Sequence, residues 1–160
     1  MNSRAPDRDS SRRRRRQASV ETTVSTTMRL RRALRRDLEA AAARAGRSVS
    51  DVAQELIEEG LRMRECPGIY FGTEPSGRTA KVSGTGLGVW EVLRDFVRDE
   101  DLDRVRRAFP QLSAAQITAA LIYYKRYSDE IRREVEANAA LTAEVLEQRY
   151  PGLVRVVAAG

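Results

Sequence analysis

Strict alternation of side-chain character from Val24 to Leu30 gives way to helical spacing that runs, with one interruption, to Leu61. In an extended chain successive side chains point to opposite faces, so Val24-Ser25-Thr26-Thr27-Met28-Arg29-Leu30 predicts a short strand. Thr26, Met28 and Leu30 then face a core, with Val24 at its edge, while Ser25, Thr27 and Arg29 face outward together. A first helix is expected from about Arg32, with Leu34, Leu38, Ala41 or Ala42, and Ala45 along one side. Gly46 suits a left-handed helix C-cap. Ser48-Val49-Ser50-Asp51 reads as a capping box, with Ser48 as N-cap and Asp51 reaching back. Val49, Val52, Ala53, Leu56, Ile57, Gly60 and Leu61 form the stripe of a second helix. One strand and two helices in about 40 residues leave too much apolar surface wet in a single copy. Two copies that pair strands and interlock helices bury it.

Cys66-Pro67-Gly68 ends this pattern and marks a boundary. Ile69 to Gly72 and Thr79 to Ser83 are strand-like runs around Glu74-Pro75-Ser76-Gly77, a hairpin signal. Helices are predicted near 88–98, 100–108 and 113–127, with Pro110 and Leu112 in the turn between the last two and Ser113 as an N-cap. The polar run 128–149 is helix-prone, with a thin stripe at Ile131, Val135, Leu141, Val145 and Leu146. Tyr150-Pro151-Gly152 stops it, and Leu153, Val154, Val156 and Val157 form a short apolar tip. Residues 1–22 are almost free of apolar side chains and hold Arg12 to Arg16 in a row, which predicts a disordered basic arm. Four segments result: an arm at 1–22, a strand–helix–helix unit at 23–65, a hairpin and three helices at 66–127, and a helix and tail at 128–160.

Charge sorts along these segments. Residues 1–47 hold 14 Arg and 5 acidic side chains, a net of +9, whereas residues 48–160 hold 15 basic and 18 acidic ones, a net of −3. A basic first third on a mildly acidic remainder predicts a polyanion at one end and a different partner at the other. The chain has no histidine and a single cysteine, Cys66. That removes imidazole bases, His metal ligands and any internal disulfide. No catalytic residue, metal or cofactor is expected. No apolar run approaches the ~20 residues of a membrane span, and no apolar segment follows the N-terminal arginines as in a secretory signal. A cytoplasmic location, with Cys66 as an incidental thiol, is the expectation.

Two patterns invite an enzymatic reading and do not support it. Gly84-Thr85-Gly86-Leu87-Gly88 lies between strand and helix like a phosphate loop. It is GxGxG rather than GxGxxG, with no second parallel strand and no ribose-binding acid behind it, so a tight turn is expected. Asp95, Asp99, Glu100, Asp101 and Asp103 crowd one helix end without a second carboxylate cluster, which reads as a solvated acidic edge. Trp90, Phe96, Phe109, Tyr123 and Tyr124 fall at core spacings of the second domain.

The strand, cap and stripe of residues 24–61 resemble the ribbon-helix-helix (VapB- or CopG-like) family of dimeric DNA-binding proteins. That resemblance implies a two-stranded ribbon in the major groove, with Ser25, Thr27 and Arg29 at its base-contacting positions; their hydroxyls and guanidinium suit base edges. The start of the second helix then sits on phosphate, through its amide groups and dipole, at Ser48, Val49 and Ser50 with Arg47 alongside. The family often has Pro after the strand, where this chain has Arg31.

Pro67-Gly68-Ile69, Val82-Ser83-Gly84-Thr85, Val89-Trp90, Phe109-Pro110-Gln111-Leu112-Ser113, Gln116-Ile117 and Ala119 to Tyr124 resemble a second family, the domain of unknown function 433. Thr73 to Arg78 looks like extra length in its hairpin. This resemblance implies a small homeodomain-like three-helix unit, found chiefly in bacterial antitoxins, and a toxin partner that is commonly a PIN-like nuclease. Its helix-turn-helix pattern is a poor DNA reader. The early residues of the would-be recognition helix are Ala114, Ala115, Gln116, Thr118 and Ala119, and no basic group occurs before Lys125.

The expected molecule is mainly α, with a ribbon-helix-helix unit, a small β-hairpin plus three-helix domain, and a C-terminal helix. The expected function is that of an antitoxin and autoregulatory repressor. It binds double-stranded operator DNA as a homodimer and neutralises a PIN-like toxin nuclease, through the helix and tail from Ser128 onward, with Arg132, Arg133 or Arg149 facing toxin carboxylates. A stand-alone repressor or plasmid-partition DNA-binding protein, with the second domain used only for oligomerisation, is the alternative.

Overall fold

The computed structural model describes residues 24–74, 77–141 and 143–149. The basic arm and the apolar tip of the tail lie outside these residues. Among the described residues the elements run α1 (Arg32–Ala45), α2 (Val49–Glu65), β1 (Ile69–Glu74), β2 (Gly77–Val82), α3 (Val89–Leu93), α4 (Phe96–Asp99), α5 (Leu102–Ala108), α6 (Ala114–Arg126), α7 (Ser128–Ala139) and α8 (Ala143–Arg149).

Two apolar clusters organise them. The first is small: Leu38, Ala42 and Val52 are buried, with Leu30, Ala41 and Ala53 against them. Gly46, at φ 62°, closes α1 in the left-handed conformation expected of it, and its amide bonds Ala43 O while that of Arg47 bonds Ala42 O. Ser48 caps α2, its Oγ accepting from the Asp51 amide at 3.1 Å.

The strand expected at 24–30 is not formed: these residues carry no ladder. A strand exists through its partner, and a single copy offers none here. Consequently Val24, Thr26 and Met28, expected to face a core, are exposed, and only Leu30 reaches the cluster.

The second cluster is the main core. Hairpin β1–β2 pairs antiparallel in full register from Ile69↔Val82 to Glu74↔Gly77, so Thr73 and Arg78 extend the ladder. Ile69, Ala80 and Val82 pack on Val89, Val92 and Leu93 of α3, Val105 of α5, Ala120 and Tyr123 of α6, and Ile131 of α7. Cys66 is wholly buried among them. Gly68 adopts φ 91°, and a Cβ there would stand 2.9 Å from that of Ala119, so β1 starts close against α6.

The helix expected at 88–98 is two pieces. Arg94 and Asp95 keep helical dihedrals, but the Arg98 amide bonds Asp95 O three residues back, which tightens α4, and Glu100 ends it at φ 55°. The run 128–149 also divides. Ile131 and Val135 share one face, but Leu141 falls off that line and is exposed; the Leu141 amide turns back to Asn138 O before α8 begins. Trp90, Phe96 and Phe109 pack half-buried on the core, as their spacing predicts, beside the buried Tyr123 and Tyr124.

Candidate nucleic-acid interface

The N-terminal unit presents its polar residues as a surface, and its chemistry follows from what each side chain is tied to. Ser25, Thr27 and Arg29 are all exposed. They precede Arg31, whose extended backbone (φ −64°, ψ 144°) leads into α1. Behind Arg29 a groove of about 560 Å³ opens, lined by Met28, Leu30, Leu38 and Val49 with Arg35 and Glu39 at its rim. Arg35 donates to Glu39 at 2.8 Å one turn on.

Arg47, Ser48, Val49 and Ser50 lie together at the start of α2 and are exposed. First-turn amides have no intrahelical acceptor, and here the Asp51 amide is satisfied by Ser48. Arg47 is committed elsewhere: its Nη1 donates to Glu55 Oε2 at 2.5 Å. With Asp51 in the first turn and Glu55 in the second, the positive field at this helix start is weaker than Arg47 and the dipole alone imply.

Most of the apolar stripe of α2 is not used within one copy. Val52 is buried, yet Leu56, Ile57 and Leu61 are 50%, 49% and 56% exposed. Met28 and Leu34 are exposed as well. Gly60 lies in the α2 stripe, and the space where its Cβ would stand is open. A mid-helix glycine costs roughly 1 kcal/mol against alanine and gives a neighbouring helix room to approach.

The opposite face of α2 is fully employed. Arg78 of β2 grips Glu59 with two bonds of 2.7 Å and also donates to Phe71 O and Thr73 Oγ1. Arg62 Nη1 donates to Glu130 Oε2 at 2.6 Å and to Tyr123 Oη at 3.2 Å, and the Tyr123 hydroxyl donates to Glu130 Oε1 at 2.6 Å. The Arg62 guanidinium also lies 4.7 Å from the Tyr127 ring centre. Glu65 accepts one bond from the Tyr127 hydroxyl and two from Arg126, which hold its carboxyl below the usual range. Sequence reading missed this network. Its signal was the spacing Glu55, Glu58, Glu59, Arg62 and Glu65, a second helical stripe that looks like an ordinary solvated face.

In the second domain the groups that look like a reading helix or a phosphate loop are already engaged. Gln116, at the start of α6, is pinned: its Oε1 accepts from the Ser113 amide at 2.9 Å and its Nε2 donates to Ser83 O at 3.1 Å. The turn Gly84–Gly88 closes on itself, Thr85 Oγ1 donating to Val82 O and accepting from the Leu87 amide. It is a tight turn, as expected, and not a cradle of free amides. The acidic edge is also spoken for: Asp101 caps α5 through the Asp103 and Arg104 amides, Asp99 pairs with Arg104, and Asp103 with Arg106. Among the described residues no group of Cys, Asp and Glu is placed to hold a metal, and no helix is long and apolar enough to cross a membrane. Of the three arginines expected to face toxin, Arg132 donates to Tyr124 Oη at 3.3 Å, while Arg133 and Arg149 are exposed.

No curated protein and no solved structure matches the chain. Residues 76–124, from the hairpin to the last turns of α6, match the model of a family described as "Protein of unknown function (DUF433)", which supports a domain of that family in this stretch of the chain.

Proposed function

We propose that the chain is a dimeric, operator-binding repressor that serves as the antitoxin of a toxin–antitoxin pair. The observation that carries this reading is the imbalance in the N-terminal unit. Three buried residues stand against at least five large apolar side chains left open at Met28, Leu34, Leu56, Ile57 and Leu61. A second copy covers them by pairing the 24–30 segments into a ribbon and crossing the α2 helices, in the ribbon-helix-helix manner. The ribbon then sets Ser25, Thr27 and Arg29 toward base edges, and the arginines of the first third supply phosphate attraction. Arg47, Ser48, Val49 and Ser50 flank the backbone.

The antitoxin role rests on the resemblance of the second domain to a family found chiefly in antitoxins, with a homeodomain-like arrangement of its helices. The partner is a PIN-like nuclease, and the cytoplasm is the site of action. The polar α7–α8 region and the tail are the candidate toxin-binding segment. A stand-alone repressor or plasmid-partition protein shares the N-terminal chemistry and lacks the toxin. Co-expression with the product of the neighbouring reading frame, followed by pull-down, separates the two. A stable complex that loses nuclease activity supports the antitoxin, and a protein that binds DNA but no neighbouring product supports the alternative.

A further inference from the structure

Between α2 and α7 lies a cleft of about 180 Å³ whose walls are mostly carboxylates. From α2 it receives Glu55, Glu58, Glu59 and Arg62, from the hairpin Arg78 with the Phe71 ring, and from α7 Glu130 and Glu134. Every cation facing it is committed. Arg62 serves Glu130, Arg78 serves Glu59, and Glu55 is taken by Arg47 from outside the cleft. Glu58 accepts from the Gln54 amide, and the Tyr123 hydroxyl of α6, behind the cleft, is spent on Glu130. Of the described carboxylates that line the cleft, Glu134 is left over. Its Oε2 is sealed from solvent and has no hydrogen-bond partner among the described residues. One turn before it on the same face stands the Glu130 carboxylate.

A carboxylate in that position is desolvated, unpaired and beside a like charge, whereas a carboxylic acid there is neutral. We propose that the α2–α7 seam is a proton-gated joint: Glu134 seats α7 on α2 while it holds a proton and loosens α7 when it loses it. Burial, and then Glu130, push this carboxyl up to about 7. The group's proton is thus held in the folded chain across a range where the unfolded chain has already released it. Stability from this joint is complete below the ordinary Glu range, declines as pH rises, and is gone above about 7. The hinge lies at Tyr127, where α6 passes into α7 at φ −126°, ψ 44°. Loosening swings Glu130 off Arg62, so a proton at one carboxyl alters the contact that ties the two halves of the chain. This joint stands independently of the repressor reading.

The test uses the full chain with carbon-13 in its Glu side-chain carboxyls, alone and as Glu134→Gln, a neutral isostere of the protonated form. The Glu134 resonance is expected to titrate near neutrality. Hydrogen-exchange protection of α7, corrected for intrinsic exchange, is expected to fall about tenfold between roughly pH 6 and 8, while α6 holds. In Glu134→Gln that fall is absent. A Glu134 midpoint in the ordinary range near ~4.3, or an equal loss of α7 protection in both proteins, overturns the proposal. The resonance needs no variant, so a misfolded substitution leaves the test intact.

Discussion

Arg62 and Glu130 stand 68 positions apart in the chain and 2.6 Å apart in space. Their side chains are 29% and 24% exposed, and the buried Tyr123 hydroxyl closes the triangle between them. Burial, then the Glu130 bond, push the Tyr123 phenol far above its ordinary range; the Arg62 guanidinium, despite desolvation, is raised by Glu130 and Tyr123. Both therefore keep one charge state at any pH where the fold survives. The junction between the N-terminal helices and the second domain is thus held by an ion pair whose Arg62 and Tyr123 members do not themselves titrate.

Removing that cation strands a half-buried carboxylate. Arg62→Ala is expected to lower unfolding stability by roughly 1–3 kcal/mol. Arg126→Ala breaks a more exposed clamp on Glu65 and should cost clearly less. Urea unfolding of the two variants side by side checks this, and equal midpoints contradict it.

Dimerisation is expected to fail when a charge enters the open stripe of α2. Leu56→Glu or Ile57→Glu places an unpaired carboxylate where the second copy belongs, at a cost of several kcal/mol. Sedimentation or light scattering should show a dimer for the parent chain and a monomer for the variants. A monomeric parent chain removes the basis of the proposed ribbon.

Both helices around Gly46, the cap at Ser48, the hairpin and the start of α6 were legible in the sequence, because each depends on local chemistry. Turn residues, caps and periodic apolar positions act within a few residues of themselves. What was not legible depends on distant partners. The 24–30 strand needs a neighbour that local alternation cannot supply. Arg62, Glu59 and Glu65 look like solvent charges until Glu130, Arg78 and Arg126 are brought to them. Ser25, Thr27 and Arg29 are all exposed in one copy, because without a paired strand residues 24–30 have no buried face to turn from.

Salt dependence separates the arm from the ribbon. Removing residues 1–20 deletes Arg4, Arg8 and Arg12 to Arg16. For every phosphate that the arm neutralises, its removal should flatten the slope of log affinity against log salt by about 0.9. The preferred sequence should not change. Binding isotherms at several salt concentrations measure this, and an unchanged slope makes the arm a bystander.

Recognition and neutralisation should part under separate changes. Arg29→Ala is expected to lose operator preference by about 1–3 kcal/mol and keep partner binding. For the tail, truncation after Tyr127 is too deep, because it removes Ile131, which is wholly buried, and Val135 beside it. Truncation after Ala140 spares that core and should weaken toxin neutralisation while operator binding remains. A growth-rescue assay beside a promoter–reporter assay reads both, and full rescue by the shorter chain moves the toxin surface out of α8 and the tail.

Acid should reveal the cap of α5. Two amides, Arg104's first, hold the Asp101 carboxyl below its usual range. Its contribution is present at neutral pH and is lost as pH falls through the ordinary Asp value near ~3.9 toward the lower folded one. Asp101→Asn keeps a neutral acceptor. The melting-temperature gap between parent and variant should therefore be widest at neutral pH and shrink as pH falls below the ordinary Asp range. A gap that stays constant argues against the carboxylate's role.

Helix α2 has two owners, one on each flank. In the proposed dimer, a bar shared in this way acts as a caliper. Each second domain rides on its own α2 at a set distance and angle from the crossing point, and no loop absorbs a mismatch. A partner that grips both second domains at once must match that span, so its own symmetry and size are constrained before any contact chemistry is considered. Inserting even a few glycines after Glu65 would free the jaws and keep each half folded around its own cluster.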